Sequence, residues 1–245
     1  MKRFKKILIG LLSLLVLLAL AGLILIKTKT YTPSAEATAI SQTATQNTAD
    51  YLYFASQGGS QKPTIFFYAG GLVEAESYSP LAQALAEDGY PVYVIKSLLN
   101  LPVLNSDKGL KLIEEIQPDS YLLAGHSLGG VMASQNAAEL VEDAHFKGLI
   151  LLAAYPASST EMSETDISVL SITASKDKVL NWTSYEEGKA RLPQTTDYVS
   201  IKGGNHSQFG SYGHQAGDGQ AAISSAMQLK EILTAIDQWS TTNKN

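Results

Sequence analysis

Cysteine is missing altogether from the 245 residues. Disulfides and thiolate zinc sites are therefore excluded, no lipid can be attached through a thioether, and cysteine usage says nothing about the redox compartment. Acidic residues are missing from the amino-terminal end: the first of 23 is Glu36, whereas six of the 18 basic residues (Lys2, Arg3, Lys5, Lys6, Lys27 and Lys29) stand before position 30. The rest of the chain holds 12 basic residues against 23 acidic ones, a net −11. A body so acidic repels polyanions, and without a basic patch nucleic acid is not an expected partner. Also absent are internal repeats, HExxH spacing, and phosphate-loop or dinucleotide fingerprints. His206 and His214 have no well-placed third ligand, so neither a metal nor a cofactor is expected.

Charge is absent again from Ile7 to Ile26, a run broken only by Gly10, Ser13 and Gly22. Twenty helical residues at about 1.5 Å each span roughly 30 Å, the thickness of a bilayer's hydrocarbon core. Four positive charges precede the run and two come after it, which predicts a cytoplasmic amino terminus and an extracytoplasmic body. A cleaved signal peptide, leaving a secreted protein, is the competing reading. Its apolar core is usually shorter, about 7–15 residues, and the nearest small-x-small site, Ala35-Glu36-Ala37, lies well beyond this run. The expected organisation is therefore a basic stub and transmembrane anchor over 1–26, a Thr/Ala/Ser-rich stalk over 27–49 and one globular domain over 50–245. Part of the stalk could supply an edge strand or a helical turn.

In the body, apolar runs alternate with helical patterns. Strands are predicted at Tyr51–Ala55, Thr64–Tyr68, Pro91–Ile95, Tyr121–Ala124, Gly148–Ala153, Ile167–Thr173 and Asp197–Ile201. Helices are predicted at Tyr78–Glu87, Asp107–Ile116, Leu128–Val141, Trp182–Arg191 and Ala221–Trp239. Continuous apolar strands such as TIFFY are those of a sheet covered on both faces, and the alternation predicts one doubly wound, mainly parallel α/β sheet.

The sequence Gly125-His126-Ser127-Leu128-Gly129 lies between a predicted strand and a predicted helix. G-x-S-x-G in that setting is a nucleophile elbow: a strained turn lifts the serine Oγ above the sheet edge, and the glycines allow close backbone approach. The helix beyond it directs free N–H groups at developing negative charge. An acid and then a histidine should come later in the chain. Asp177 stands directly after the strand Ile167–Thr173, where a loop carboxylate points to the top of the sheet. Asp197 is its rival but precedes its strand. His206 leaves the strand Asp197–Ile201 through Gly203-Gly204-Asn205, with His214 as the alternative base. His126 belongs to the elbow and faces the wrong way, and His145 stands at the opposite edge. Leu128 supplies one N–H of an oxyanion hole, and Gly71, or next to it Leu72, the other, from the loop Ala69-Gly70-Gly71-Leu72.

The stretches FYAGGLVEAESYSPLAQALAEDGYPVYVIK, LLAGHSLGG and KGGNHSQFGSYGHQAGDGQAAIS resemble the compact, dienelactone-hydrolase-related branch of the α/β-hydrolases, fold family 5. The likeness runs from about Asp50 to Trp239. It implies Ser127 as nucleophile, Asp177 as acid and His206 as base, without a cofactor. Relatives tend to carry a proline before the first glycine of the Gly70-Gly71 loop, where this chain has Ala69. The expected activity is two-step acyl transfer to water from an ester, thioester or similar acyl substrate, small or lipid-like. An acyltransferase with the same residues and a non-catalytic binding module on the membrane are the rivals. Only about 13 residues separate the strand ending near Ala153 from the one beginning at Ile167, too few for a helical lid.

Overall fold

The computed structural model describes residues 2–57 and 62–242 and divides into two units, Met1–Thr30 and Tyr31–Asn245. The outer ends of the expected segments, Met1 and residues 243–245, lie outside the described residues. The first unit is one helix, α1 (Lys2–Lys29), whose stretch Phe4–Lys29 has a mean hydropathy of 3.0 and is long and apolar enough to cross a membrane. Apolar residues surround it on every side, so no polar face is left for water.

The second unit is built on an eight-stranded sheet: β1 (Gln46–Asn47), β2 (Tyr51–Phe54), β3 (Thr64–Tyr68), β4 (Val92–Ile95), β5 (Tyr121–His126), β6 (Phe146–Leu152), β7 (Val169–Ala174) and β8 (Asp197–Ile201). Their spatial order is β1-β2-β4-β3-β5-β6-β7-β8. The pairs β1–β2 and β2–β4 are antiparallel, and every other pair is parallel. Among the described residues six helices accompany it: α2 (Ala35–Ser41), α3 (Ser79–Glu87), α4 (Lys108–Ile116), α5 (Leu128–Glu139), α6 (Trp182–Lys189) and α7 (Ser225–Thr242).

Every residue of β3, β4, β5 and β7 is buried, as the continuous apolar runs predict. Alternation sends neighbours to opposite layers. Phe67 belongs to the same apolar cluster as Leu85 of α3 and Ile236 and Trp239 of α7, whereas Phe66 belongs to the one with Leu112 of α4 and Met132 of α5. Each fully buried phenylalanine contributes roughly 1.5–3 kcal/mol. From β3 the chain crosses first to β4 on one side and then to β5 on the other. Ligands of open α/β sheets bind beyond the carboxyl ends of the strands at such a reversal. The loop Ala69–Leu72 and Ser127 both lie there.

Most element boundaries shift by one or two residues from expectation, and three differences have a clear cause. The segment 27–49, expected as a solvated stalk of which part could supply an edge strand or a helical turn, is folded from Tyr31 onward and holds both, β1 and α2. Tyr31 pairs in parallel with Val73, Ser34 caps α2 through Ala37 N–H at 3.1 Å, and Ala37 is wholly buried. Small Ala and Thr side chains let α2 lie against α3 without an apolar stripe that periodicity could reveal. α7 begins at Ser225 rather than Ala221, because Ala222 N–H is held by Gly203 O at 2.7 Å. β6 stops at Leu152, since Ala153 turns to a positive φ of 46°. The connection of residues 153–168 carries no helix, so the sheet edge has no lid from this position.

Candidate active site

β5 runs into α5 through Ser127, whose φ of 52° and ψ of −125° lie in a region that costs a non-glycine residue about 1–3 kcal/mol. The turn persists because its surroundings leave no alternative. A Cβ on Gly129 would collide with the carbonyl oxygens of Tyr68 and Ala69, and one on Gly125 would stand 2.6 Å from Gly129 itself. Only glycine lets the end of β3, the end of β5 and the start of α5 meet so closely. Ser127 N–H is tied to Leu152 O at 3.0 Å, and the residue remains half-buried at the mouth of the turn.

Asp177 lies just beyond β7, in a turn closed by its own N–H to Ala174 O. Its Oδ1 accepts the N–H groups of Val179 and Leu180, both at 2.8 Å, and its Oδ2 faces His206 Nδ1 at 2.7 Å. Both side chains are buried. A carboxylate can only accept, so Nδ1 carries a proton and donates it to Oδ2. Among the described residues Nε2 has no partner. The His206 ring packs 4.5 Å, centroid to centroid, from that of His126, the residue before Ser127. The structure thus brings the elbow, Asp177 and His206 to one place. Asp197 begins β8 at the other end of the sheet, His145 Nδ1 is bonded to Asp119 O, and His214 is exposed.

Of the two glycine-loop candidates, Leu72 has its N–H engaged by Asn100 O at 2.6 Å. Gly71 lies against α5: a Cβ there would be 2.9 Å from Leu128 Cδ2. Among the described residues neither Gly71 N–H nor Leu128 N–H has an acceptor. Two N–H groups without an acceptor among the described residues therefore lie near the elbow.

Three supporting residues escape a reading by motif. Tyr78 accepts Gly70 N–H at 3.0 Å and shares a hydrogen bond of 2.8 Å with His126 Nδ1. Burial pushes the Tyr78 phenol up, and burial followed by the charge of His206 holds His126 well below the usual histidine range. His126 is a neutral packing ring that links the glycine loop to the elbow. Asp218 joins the loops carrying Asp177 and His206. It accepts Ser207 N–H at 2.9 Å, Ser207 Oγ–H at 3.0 Å, Lys178 N–H at 3.3 Å and Gly219 N–H at 2.7 Å. Burial raises its carboxyl, but the N–H groups of Ser207, Lys178 and Gly219 outweigh that and hold it below the usual range. The signal in the sequence was the flanking Gly217-Asp218-Gly219, which reads as an ordinary turn.

Asp218→Asn keeps the shape but turns one acceptor edge into a donor facing N–H groups. We expect kcat to fall about tenfold to a hundredfold with KM changed less than threefold, because the loops carrying Asp177 and His206 lose registry. We also expect a stability loss of about 1–3 kcal/mol. The depressed carboxyl adds stability above its unfolded pKa that is lost as pH falls through the folded one, so Asp218→Asn should flatten the acid limb of a stability–pH curve. An unchanged kcat, with the acid limb intact, would count against this role.

Elsewhere, a cleft of about 1050 Å³ opens at the amino ends of the strands, beside Ser120, Phe146, Ser168 and Trp239, away from Ser127. Among the described residues no three His, Asp or Glu side chains are grouped to hold a metal ion.

A sequence profile of the alpha/beta hydrolase family matches residues 64–230. No curated protein matches the chain. Solved structures do, at low identity. A predicted CIB-like hydrolase from Thermoplasma acidophilum is 13% identical with a TM-score of 0.57, covering 78% of this chain and 92% of its own. A thermophilic esterase from Thermogutta terrifontis is 11% identical with a TM-score of 0.51, over 76% and 85%. The mouse alpha/beta hydrolase domain-containing protein 10 is 14% identical with a TM-score of 0.56, over 77% and 93%. These likenesses concern the fold.

Proposed function

The chain belongs to the alpha/beta hydrolase family, and from that premise we propose that it is a membrane-anchored serine hydrolase that cleaves a carboxylic ester or related acyl substrate through Ser127, His206 and Asp177. The observation that carries the reading is the His206–Asp177 pair beside a serine held at positive φ on a strand-to-helix turn. In the proposed mechanism Nε2 of His206 takes the Ser127 proton as Oγ bonds to the carbonyl carbon. The carbonyl electron pair moves onto oxygen, which the N–H groups of Leu128 and Gly71 receive. Collapse expels the alcohol, which leaves with the proton from His206. Water then repeats the sequence and frees the acid. Asp177 orients the ring and stabilises its cation.

One structural neighbour is described as an esterase, which makes p-nitrophenyl esters the first substrates to try. The full chain in detergent should release p-nitrophenol in a burst of about one equivalent per enzyme, then a slower steady state, the pattern of an accumulating acyl-enzyme. Added butanol should divert only a minor share of the acyl group. Hydrolysis that is linear from the first turnover, or a butyl ester as main product, would argue against an acyl-enzyme hydrolase.

The same reading has α1 as an uncleaved anchor with its four leading positive charges in the cytoplasm and the body outside. Protease added to intact cells should then release the body from the membrane fraction. A body protected until the cells are lysed would reverse the orientation, and a chain recovered without α1 would mean a cleaved signal.

A further inference from the structure

Between Lys96 and Asp107 the chain carries no charge over residues 97–106, SLLNLPVLNS. Four large apolar side chains of this loop face outward: Leu98 is 59% exposed, Leu99 38%, Val103 55% and Leu104 50%. Outside α1 the other exposed large hydrophobics among the described residues are three scattered ones, Trp182, Tyr198 and Met227. A contiguous apolar patch on an acidic body has to be covered by something.

The backbone beneath the patch is fastened. Pro102 is buried, Ser106 O accepts from Asn136 Nδ2 at 2.8 Å, and Asn105 Oδ1 takes Leu98 N–H at 3.3 Å. Leu99 and Asn100 both hold positive φ, 54° and 56°. For a leucine this conformation is disfavoured, and here it turns apolar side chains toward the outside rather than into the core. The patch is a braced platform, with its side chains set by the fold.

Leu72 ties this platform to Tyr31. Its N–H is bound by Asn100 O at 2.6 Å, and its C=O accepts the N–H of Tyr31 at 2.7 Å, while Tyr31 O accepts Glu74 N–H at 3.1 Å. Tyr31 comes almost directly after α1, which runs to Lys29. Past the last apolar residue, Ile26, only four residues precede it, about 6 Å of helix. With so little chain in between, the glycine loop stays close to any bilayer that Ile26 enters.

We propose that residues 97–106 dip into the leaflet adjoining the anchor, and that the site takes acyl esters held in that leaflet. The substrate class rests on the hydrolase reading above, and the contact with lipid rests only on its anchor, α1. The chain's lack of cysteine gives a clean test. In the full chain, reconstituted into vesicles of phosphatidylcholine and phosphatidylglycerol at three to one, an environment-sensitive dye is placed on Val103→Cys or, as control, on Tyr198→Cys. Dye at 103 should emit blue-shifted and be quenched by doxyl-labelled phospholipid at least threefold more than dye at 198. Water-like emission at 103 overturns the proposal, as does a blue shift that doxyl lipid leaves unquenched, since protein would then cover the patch. In a second arm, Leu98→Ser, Leu99→Asn, Val103→Ser and Leu104→Ser are combined. Hydrolysis of a long-chain ester dissolved in the vesicles should fall at least tenfold, with a soluble short-chain ester changed less than twofold. An equal fall for both esters would make the loop a mere support of the site and overturn the substrate class. If the unaltered chain cleaves neither ester, the hydrolase reading fails, and the dye still decides the contact.

Discussion

Ser127→Ala will remove ester hydrolysis to within the background of the assay, a loss of about 10⁴–10⁶ in kcat, and will abolish labelling by a fluorophosphonate probe. In the proposed mechanism the loss is large because the substitution deletes the atom that forms the bond, and the N–H groups of Gly71 and Leu128 could at most leave a small residual acceleration. Folding should be spared. Alanine meets the same positive φ as serine, the N–H bond to Leu152 O survives, and Ser127 Oγ caps no N–H of α5. The melting temperature should therefore move by no more than a few degrees. Labelling at the original rate in the variant would place the nucleophile elsewhere and dismantle the mechanism.

His206→Ala and His214→Ala should differ by at least a hundredfold. Without His206 the Ser127 proton has no acceptor, and Asp177 is left as a buried carboxylate with only the N–H groups of Val179 and Leu180. Loss of kcat by several orders of magnitude should result, with some loss of stability from the unpaired charge. His214 is exposed in a polar run, and its ring makes no hydrogen bond among the described residues. Its removal should cost tenfold at most and act partly on KM. Circular dichroism and steady-state kinetics on the two variants decide the matter. If His214→Ala proved the more damaging while both remained folded, the base would have been misassigned.

How far the sequence could be read depends on what each residue has to say by itself. TIFFY and YLLAGH announce buried strands because a strand covered on both faces must be apolar throughout, and the elbow announces itself because few residue types tolerate its geometry. The order of Ser127, Asp177 and His206 comes from the strands they trail. The sequence already favoured Gly71 over Leu72, but the hydrogen bond that occupies Leu72 N–H comes from Asn100, 28 residues on, which no local pattern encodes. Asp218 was hidden for the same reason: a carboxylate between two glycines looks like any turn until the loops it joins are side by side. The small residues of α2 carry no periodic stripe, so a helix sealed by Ala37 read as a solvated linker.

α2 and the residues just before it constrain the order in which the protein can assemble. Ser34 shares hydrogen bonds with Ser211, 177 residues away, and Tyr31 Oη accepts from Ala216 N–H. During synthesis these first body residues emerge early but find their partners only when most of the chain has been made. Tyr31, which also donates to Leu72 O, receives the N–H of Ala216 only at that late moment. An incomplete chain therefore leaves the first residues of the body without these hydrogen bonds until the final third of the polypeptide has been made.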